Sequence, residues 1–341
     1  MDLENPPVVI ITNPKDPHAD AVIHFLNKME VDVVRFHAGE AHIDSAIVVD
    51  AHGGSVRIGS SGRKFSTANL RSCWYRRPNP VDLHVASFNY PDKHLVTQET
   101  NAVLWGLYGC IDAVWYSHPY NIRQAAWKLY QLRVAAMIGF DIPRYLVSNE
   151  TAAIKEFLNS YDYMVLKPID ERTTAIEIDD QPMSLYVKKF RASDLIQLTR
   201  QKPISPCYLQ EYIDKAFDVR ITVFGHSVFA VAIHHSANEE VVDWRVDSLE
   251  LEHQVIECPP AINAMLIAYL KWMGLNFGAF DFSVDKAGHW YFLECNPNGQ
   301  WLWIEIKTGL ALAQTFAEHL ALQRAPLIRS FSPSLGPTPD S

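Results

Sequence analysis

Phe280-Asp281-Phe282-Ser283-Val284-Asp285-Lys286-Ala287-Gly288-His289-Trp290-Tyr291-Phe292-Leu293-Glu294-Cys295-Asn296-Pro297-Asn298-Gly299-Gln300-Trp301-Leu302-Trp303 is the stretch on which the reading of this chain turns. Two alternating apolar runs flank Asp285-Lys286-Ala287-Gly288, a polar turn with glycine where a positive φ is needed, so the pattern predicts a β-hairpin. Alternation along the second strand puts Glu294 and Asn296 on one face and Cys295 on the other. Asp281, on the partner strand, is expected to reach the first face in the simple register set by the turn. Two carboxylates and an amide oxygen form a hard donor cluster suited to Mg²⁺ or Mn²⁺ carrying nucleotide phosphates. The same acids would also serve as solvated strand ends, so the cluster has to be weighed with the rest of the chain.

A chain of 341 residues has room for two or three domains. Hydrophobic content of 48% and charged content of 20% are those of an ordinary globular protein, and a net charge of −9 makes nucleic acid a poor main partner. The acidic, proline-bearing start Met1-Asp2-Leu3-Glu4-Asn5-Pro6-Pro7 does not read as a signal peptide. No apolar run reaches membrane-spanning length, so a cytoplasmic protein with no membrane partner is expected. Cys73, Cys110, Cys207, Cys258 and Cys295 show no Cys-x-x-Cys spacing and read as free thiols. The oligomeric state is not set by the sequence, and a homodimer is left open.

Val8 to Thr12 is a buried-strand run followed by helical spacing of Ala21, Val22, Phe25, Leu26 and Met29, the opening βα unit of an α/β domain. Gly53-Gly54 and Gly59-Ser60-Ser61-Gly62-Arg63-Lys64 fit neither phosphate-loop spacing and read as hairpin turns. Cys73-Trp74-Tyr75-Arg76-Arg77-Pro78 is a strand whose two arginines suit a solvated end or an anion site. Asn121 to Ile138 reads as one amphipathic helix with Lys128 in its middle and Gly139 past its end. Asn149 is the expected cap of a helix over 150–158. Tyr163 to Pro168 is a buried strand ending in Lys167, which calls for a charged partner. A hairpin across Gln181-Pro182 and a short helix from Ala192 to Gln201, with Asp194 in its first turn, come next. Strands through Cys207–Ile213, Asp218–Phe224 and Val228–Ile233 follow, then a helix from Ala261 to Met273. Beyond the hairpin one long helix spans Leu302 to Leu322, and the Pro- and Ser-rich tail 326–341 reads as disordered.

The second half therefore offers two lysines on separate elements, Asp218-Val219-Arg220, Trp244-Arg245 and the carboxylate and amide cluster. Phosphoryl transfer asks for such a set: cations for the phosphates and metal ligands for the bridging oxygens. The order Lys128, Val165-Leu166-Lys167-Pro168, Gln210-Glu211-Tyr212-Ile213, Asp218-Val219-Arg220, Asp281 and Glu294-Cys295-Asn296 resembles the ATP-grasp ligases over about Tyr116 to Leu322. Trp74 to Pro78, Val242 to Arg245 and above all Phe292 to Trp301 are similar to motifs of the microviridin-type peptide ligases, the graspetide macrocyclases.

That resemblance implies an α/β and α+β architecture in which a small pre-ATP-grasp α/β domain, residues 1–118, precedes the ATP-grasp fold. A first ATP-grasp lobe over 119–205 would carry a leader-peptide dock, and a C-terminal lobe over 206–325 the metal site. It implies an ATP- and Mg²⁺-dependent ligase whose partner is a ribosomal precursor peptide of leader plus core. A core Glu or Asp side chain would be activated as an acyl phosphate, and a Ser or Thr hydroxyl or Lys amine would close an ester or amide ring. Lys128 and Lys167 would contact phosphates, Gln210 to Ile213 would hold adenine, and Asp214 the ribose. Arg220 and Arg245 would neutralise the γ-phosphate and acyl phosphate, with Asp281, Glu294 and Asn296 on Mg²⁺ (or Mn²⁺). Asp194, Arg172 and Trp301 would contact peptide. The loop Ile169 to Thr174 lacks the glycines many ATP-grasp enzymes carry there, so Arg172 or the threonines would have to substitute. Two other functions fit: an ATP-grasp ligase acting on free amino acids or a protein tail, and a catalytically inactive, nucleotide-gated peptide-binding scaffold.

Overall fold

The computed structural model describes residues 5–81, 93–170, 175–178, 181–184, 188–234 and 251–322. Five buried residues make β1 (Val8–Thr12). It feeds α1 (Pro17–Lys28), which Asp16 caps by accepting the His18 amide while Pro17 fills the first helical position. Next come β2 (Val33–His37), α2 (Ala41–Asp44), and a meander of β3 (Ser45–Asp50), β4 (Gly53–Ile58) and β5 (Lys64–Ser66). β6 (Ser72–Tyr75), α3 (Lys93–Gly109) and β7 (Val114–Trp115) complete a parallel sheet of order β2-β1-β6-β7. Both glycine clusters lie at the turns of the antiparallel meander, not at a phosphate loop.

The chain continues through α4 (Pro119–Ala125), α5 (Lys128–Ile138), β8 (Tyr145–Ser148), α6 (Thr151–Leu158) and β9 (Tyr163–Lys167). A ribbon of β10 (Ala175–Ile178) and β11 (Gln181–Ser184) leads to β12 (Lys188–Arg191), α7 (Ala192–Leu195), a 3₁₀ turn over Ile196–Thr199, and β13 (Cys207–Glu211). Strands in the order β12-β9-β13-β8 form an antiparallel sheet. Pro182 lies within β11, not at the expected turn, because a two-stranded ribbon is all edge and tolerates the missing N–H.

The largest sheet, antiparallel in the order β16-β15-β14-β17-β18, is built from β14 (Lys215–Phe224), β15 (Ser227–His234), β16 (Glu252–Ile256), β17 (Phe277–Asp285) and β18 (Trp290–Asn296). α8 (Pro260–Met273) packs on it, and α9 (Leu302–Thr308) and α10 (Leu312–Leu322) follow. β16 goes unnoticed in the sequence because it is an edge strand of mostly polar residues.

Three helical expectations are corrected. The helix foreseen over 121–138 breaks at Ala126-Trp127, so Lys128 opens α5 and the helical phase resets. Gln131 and Val134 are therefore buried, while Leu129 is exposed. The helix foreseen over 302–322 breaks at Gly309, whose φ of +74° ends α9. Glu150, not Asn149, precedes α6.

Two hydrophobic cores hold these elements in place around the hairpin. Trp74 and Tyr116 of the parallel-sheet region pack with Trp301 and with Phe316 and Leu320 of α10. α5 and α8 pack through Leu132, Ala135, Tyr269 and Leu270 on Phe280, Phe282 and Phe292 of the hairpin.

Candidate functional site

The hairpin turn falls where the sequence places it, with Gly288 at φ +88°. Its register is not the simple one. Val284–Trp290, Ser283–Tyr291 and Phe282–Phe292 pair in sequence, and the next pair is Asp281–Glu294. Leu293 is thus an extra residue in β18, a β-bulge. Without it Asp281 would oppose Leu293 and share that residue's face, away from Glu294. The bulge keeps Phe292 and Cys295 in the core while turning Glu294 and Asn296 to the other face.

That face carries a ladder of charge. On β14 and β17, Asp218 opposes Ser283 and Arg220 opposes Asp281. Lys215 Nζ binds Asp218 Oδ2, and Ser283 Oγ donates to Asp218 Oδ1 at 2.6 Å. Arg220 Nη1 meets Asp281 Oδ1 at 2.7 Å, with both side chains 6% exposed. Lys128 Nζ lies 3.5 Å from Glu294 Oε2 and donates to the Pro168 carbonyl at 3.3 Å. The α5 lysine is thereby held at the end of β9, beside Lys167, which opposes Tyr208 on β13. Burial, with Tyr145 and Glu294 adding, pushes the Tyr208 hydroxyl up. Asn296 Oδ1 accepts the Asn298 amide at 3.0 Å, which leaves the oxygen one more lone pair.

α5 is locked to β18 by a residue the sequence reading passed over. Gln131, 1% exposed, donates from Nε2 to the carbonyls of Ala125 (2.7 Å) and Cys295 (2.8 Å). Its Oε1 accepts the Cys295 amide at 2.9 Å. A long amide on a buried helix face was the available signal.

The loop after Asn296 is held from the parallel-sheet region. His18 Nε2 accepts the amides of Trp301 (3.1 Å) and Leu302 (3.2 Å). Arg76, 2% exposed, lies 3.4 Å from Asp16 and donates to the carbonyls of Asn298 (2.8 Å) and Gly299 (3.3 Å). Arg77 Nε, on a backbone at φ +41°, donates to the same Asn298 carbonyl. Burial works against the Asp16 carboxylate, but His18, the Arg76 charge and Thr12 outweigh it and hold its pKa at about 2. Burial, only partly offset by Asp16, draws the Arg76 guanidinium down to about 10. Gly299 sits tight over the ladder: a Cβ there would come within 2.5 Å of the Ala279 Cβ and 3.3 Å of Arg220 Nη2. Asp16 and His18 read in sequence only as a helix start, because Arg76 lies 60 residues from Asp16 and the two amides that His18 accepts are 283 and 284 residues away.

Trp301 departs from expectation. It is 1% exposed, edge-on to His18 at 5.0 Å and packed on Phe224 and Phe316, so it anchors the loop and offers no surface to a peptide. Gln210 is buried against Tyr208, Glu211 Oε1 accepts the Arg144 amide at 2.7 Å, and Tyr212 lies under Lys189 Nζ at 4.0 Å. The Ile213 carbonyl accepts the Lys215 amide, and Asp214 pairs in solvent with Lys286. Asp194 is exposed on α7. Arg172 and Arg245 lie outside the described residues. Among the described residues no three of His, Cys, Asp and Glu converge as a metal set; the oxygen donors that share this face are Asp281, Glu294 and the Asn296 amide. Two hard anionic oxygens plus a carbonyl fit Mg²⁺, which keeps several waters. Among the described residues no helix is long and apolar enough to cross a membrane.

No model of a known protein family matches the chain, and no curated protein sequence does. Solved structures do. The chain is similar to a Chryseobacterium gregarium RiPP-associated ATP-grasp ligase solved with ADP and a leader and core peptide: TM-score 0.86, 24% identity, over 96% of this chain and 100% of that one. It is similar to the macrocyclase MdnC of Microcystis aeruginosa, bound with the precursor peptide MdnA, at TM-score 0.78 and 25% identity over 93% and 99% of the two chains. The ATP-grasp ligase PsnB, complexed with a phosphomimetic precursor variant, Mg and ADP, aligns at TM-score 0.73 and 18% identity over 94% and 99%. The chain has the ATP-grasp fold, in the form that peptide macrocyclases carry.

Proposed function

We propose that this chain is an ADP-forming ATP-grasp ligase that cross-links a ribosomal precursor peptide. The observation that carries the reading is the ladder Lys128–Glu294 and Arg220–Asp281 on this fold, where each carboxylate is matched by a cation. Such pairs keep the cations and the acids in place for a nucleotide's phosphates and its metal. Lys128 and Lys167 bind phosphates, the strand end from Gln210 to Ile213 holds adenine, and Asp214 the ribose. Asp281, Glu294 and Asn296 would hold Mg²⁺, which when bound would neutralise charge on the phosphates. An oxygen of a core Glu or Asp side chain attacks the γ-phosphorus and ADP leaves. Arg220, with Arg245, steadies the acyl phosphate. A Ser or Thr hydroxyl or a Lys amine then attacks the acyl carbon and expels phosphate, giving an ester or an amide.

Residues 1–118, 119–205 and 206–325 act as the pre-ATP-grasp domain and the two lobes in this reading. A cavity of about 480 Å³ lined by Tyr161, Tyr163, Arg191 and Ser193, next to Asp194, supports the leader dock. The neighbours solved with leader, core or precursor peptide support the partner, and free thiols among the described residues suit the cytoplasm.

The test is to incubate the enzyme with ATP, Mg²⁺ and the product of an adjacent short reading frame rich in Thr, Ser, Glu and Asp. ADP release coupled to loss of one water per ring in the peptide mass is the expected result. ADP release with free amino acids and not with peptide would favour a small-substrate ligase, and peptide binding without turnover a scaffold.

A further inference from the structure

Among the described residues β18 is the last strand of its sheet, and its outer edge meets only the isolated Asp141–Tyr291 bridge as backbone pairing. Cys295, between Glu294 and Asn296, is nonetheless paired on that side, by the side chain of Gln131 acting as a one-residue strand. Only one orientation of the amide works: the NH₂ faces two carbonyls and the oxygen faces an N–H. Three residues earlier in the strand, the Phe292 amide donates to the Asp141 carbonyl at 2.8 Å, in the segment just after α5. The bulge residue Leu293 therefore lies between two pins, one near each end of α5. A bulge left unpinned can be lost; Asp281 would then oppose Leu293, and Glu294 would turn toward the core while Cys295 left it.

Gln131 also stands one turn after Lys128, so the helix that carries the lysine is registered against the strand that carries its carboxylate. Its third bond, to Ala125, closes the end of α4 across the break that places Lys128 at the head of α5. We propose that Gln131 is a positioning residue: it fixes the bulged register of β18 and through it the spacing of Lys128 from Glu294 and Asn296. The inference rests on the proposal that those residues hold the Mg²⁺-nucleotide, and it adds a residue that touches neither ion nor nucleotide.

The test titrates Mg²⁺ into the full-length protein with ADP, comparing wild type with Gln131→Met, which keeps the length and loses all three bonds. Outer residues that orient metal ligands typically control affinity by about 10- to 100-fold, so the Mg²⁺ midpoint for ADP binding should rise by about tenfold or more while most molecules remain folded. Gln131→Glu keeps an acceptor for the Cys295 amide but turns a carboxylate oxygen against two carbonyls, so its midpoint should rise at least as far as that of Gln131→Met. A lowered melting temperature with an unmoved Mg²⁺ midpoint in both variants would make Gln131 a core residue only and overturn the proposal. Failure of both variants to fold would do the same. If wild type and Glu294→Gln respond identically to Mg²⁺, the underlying site assignment fails instead, a result distinct from either outcome at Gln131.

Discussion

Asp281→Asn and Glu294→Gln are equivalent by the proposed chemistry, since each removes one metal-binding charge, yet the structure makes them unequal for folding. Asp281 is the partner of a guanidinium buried as deeply as itself, at 2.7 Å. Removing one member of such a pair strands the other charge and costs about 3–5 kcal/mol. Asparagine can still accept one hydrogen bond, so about 3 kcal/mol is expected, or about 6–12 °C of melting temperature at ~2–4 °C per kcal/mol. Glu294 is 13% exposed and its lysine, at 3.5 Å, keeps the Pro168 carbonyl. Its loss should cost about 1 kcal/mol and about 2–4 °C. Both variants should lose on the order of 10²-fold or more in ADP release. Replacing Arg220 with methionine in the Asp281→Asn background should recover melting temperature but not activity. Differential scanning fluorimetry beside an ADP-release assay reads both quantities. Equal melting losses, or a larger loss for Glu294→Gln, would refute the weight given to the Arg220–Asp281 pair.

Gly299→Ala must move Ala279 or Arg220 and should cost about 1–3 kcal/mol along with turnover; Gly106→Ala, with nothing within 4 Å of the new Cβ, is the control and should leave melting unchanged or raised. Trp301→Ala should destabilise by about 3–5 kcal/mol as a core truncation, whereas an unaltered melting temperature with weaker peptide binding would return it to the peptide surface. Burial, with Arg76 and Arg77 adding and Asp16 opposing, lowers the pKa of His18 below its ordinary 6.5. Its neutral Nε2 is the acceptor for two loop amides, so its contribution to stability is full above pH 6.5 and is lost as pH falls below that value. Wild type should therefore lose melting temperature between pH 7 and about 5.5 relative to His18→Gln, whose acceptor does not titrate; parallel curves would discard the idea.

Local pattern was enough for the hairpin, the positive φ of Gly288, the opening βα unit and the ordered series of lysines, arginine and acids, because each rests on neighbours in sequence: turn chemistry, strand alternation, helical spacing. It was not enough where distant residues choose between local options. Alternation alone cannot show that Leu293 bulges, since the bulge is selected by burying Phe292 and Cys295 under α5 and α8 while Gln131 and Asp141 pin the edge. Nor could it separate α4 from α5, whose break is closed by Gln131 bonding Ala125 and Cys295 together. Trp301 reads as peptide-facing, and Arg76 as a solvated strand end or an anion site, because their chemistry allows it; packing of the parallel sheet against α10 and the loop after Asn296 commits both to the interior instead. Residue type and order pointed to the proposed chemistry, and long-range burial decided which of those side chains face the core and which face the ladder.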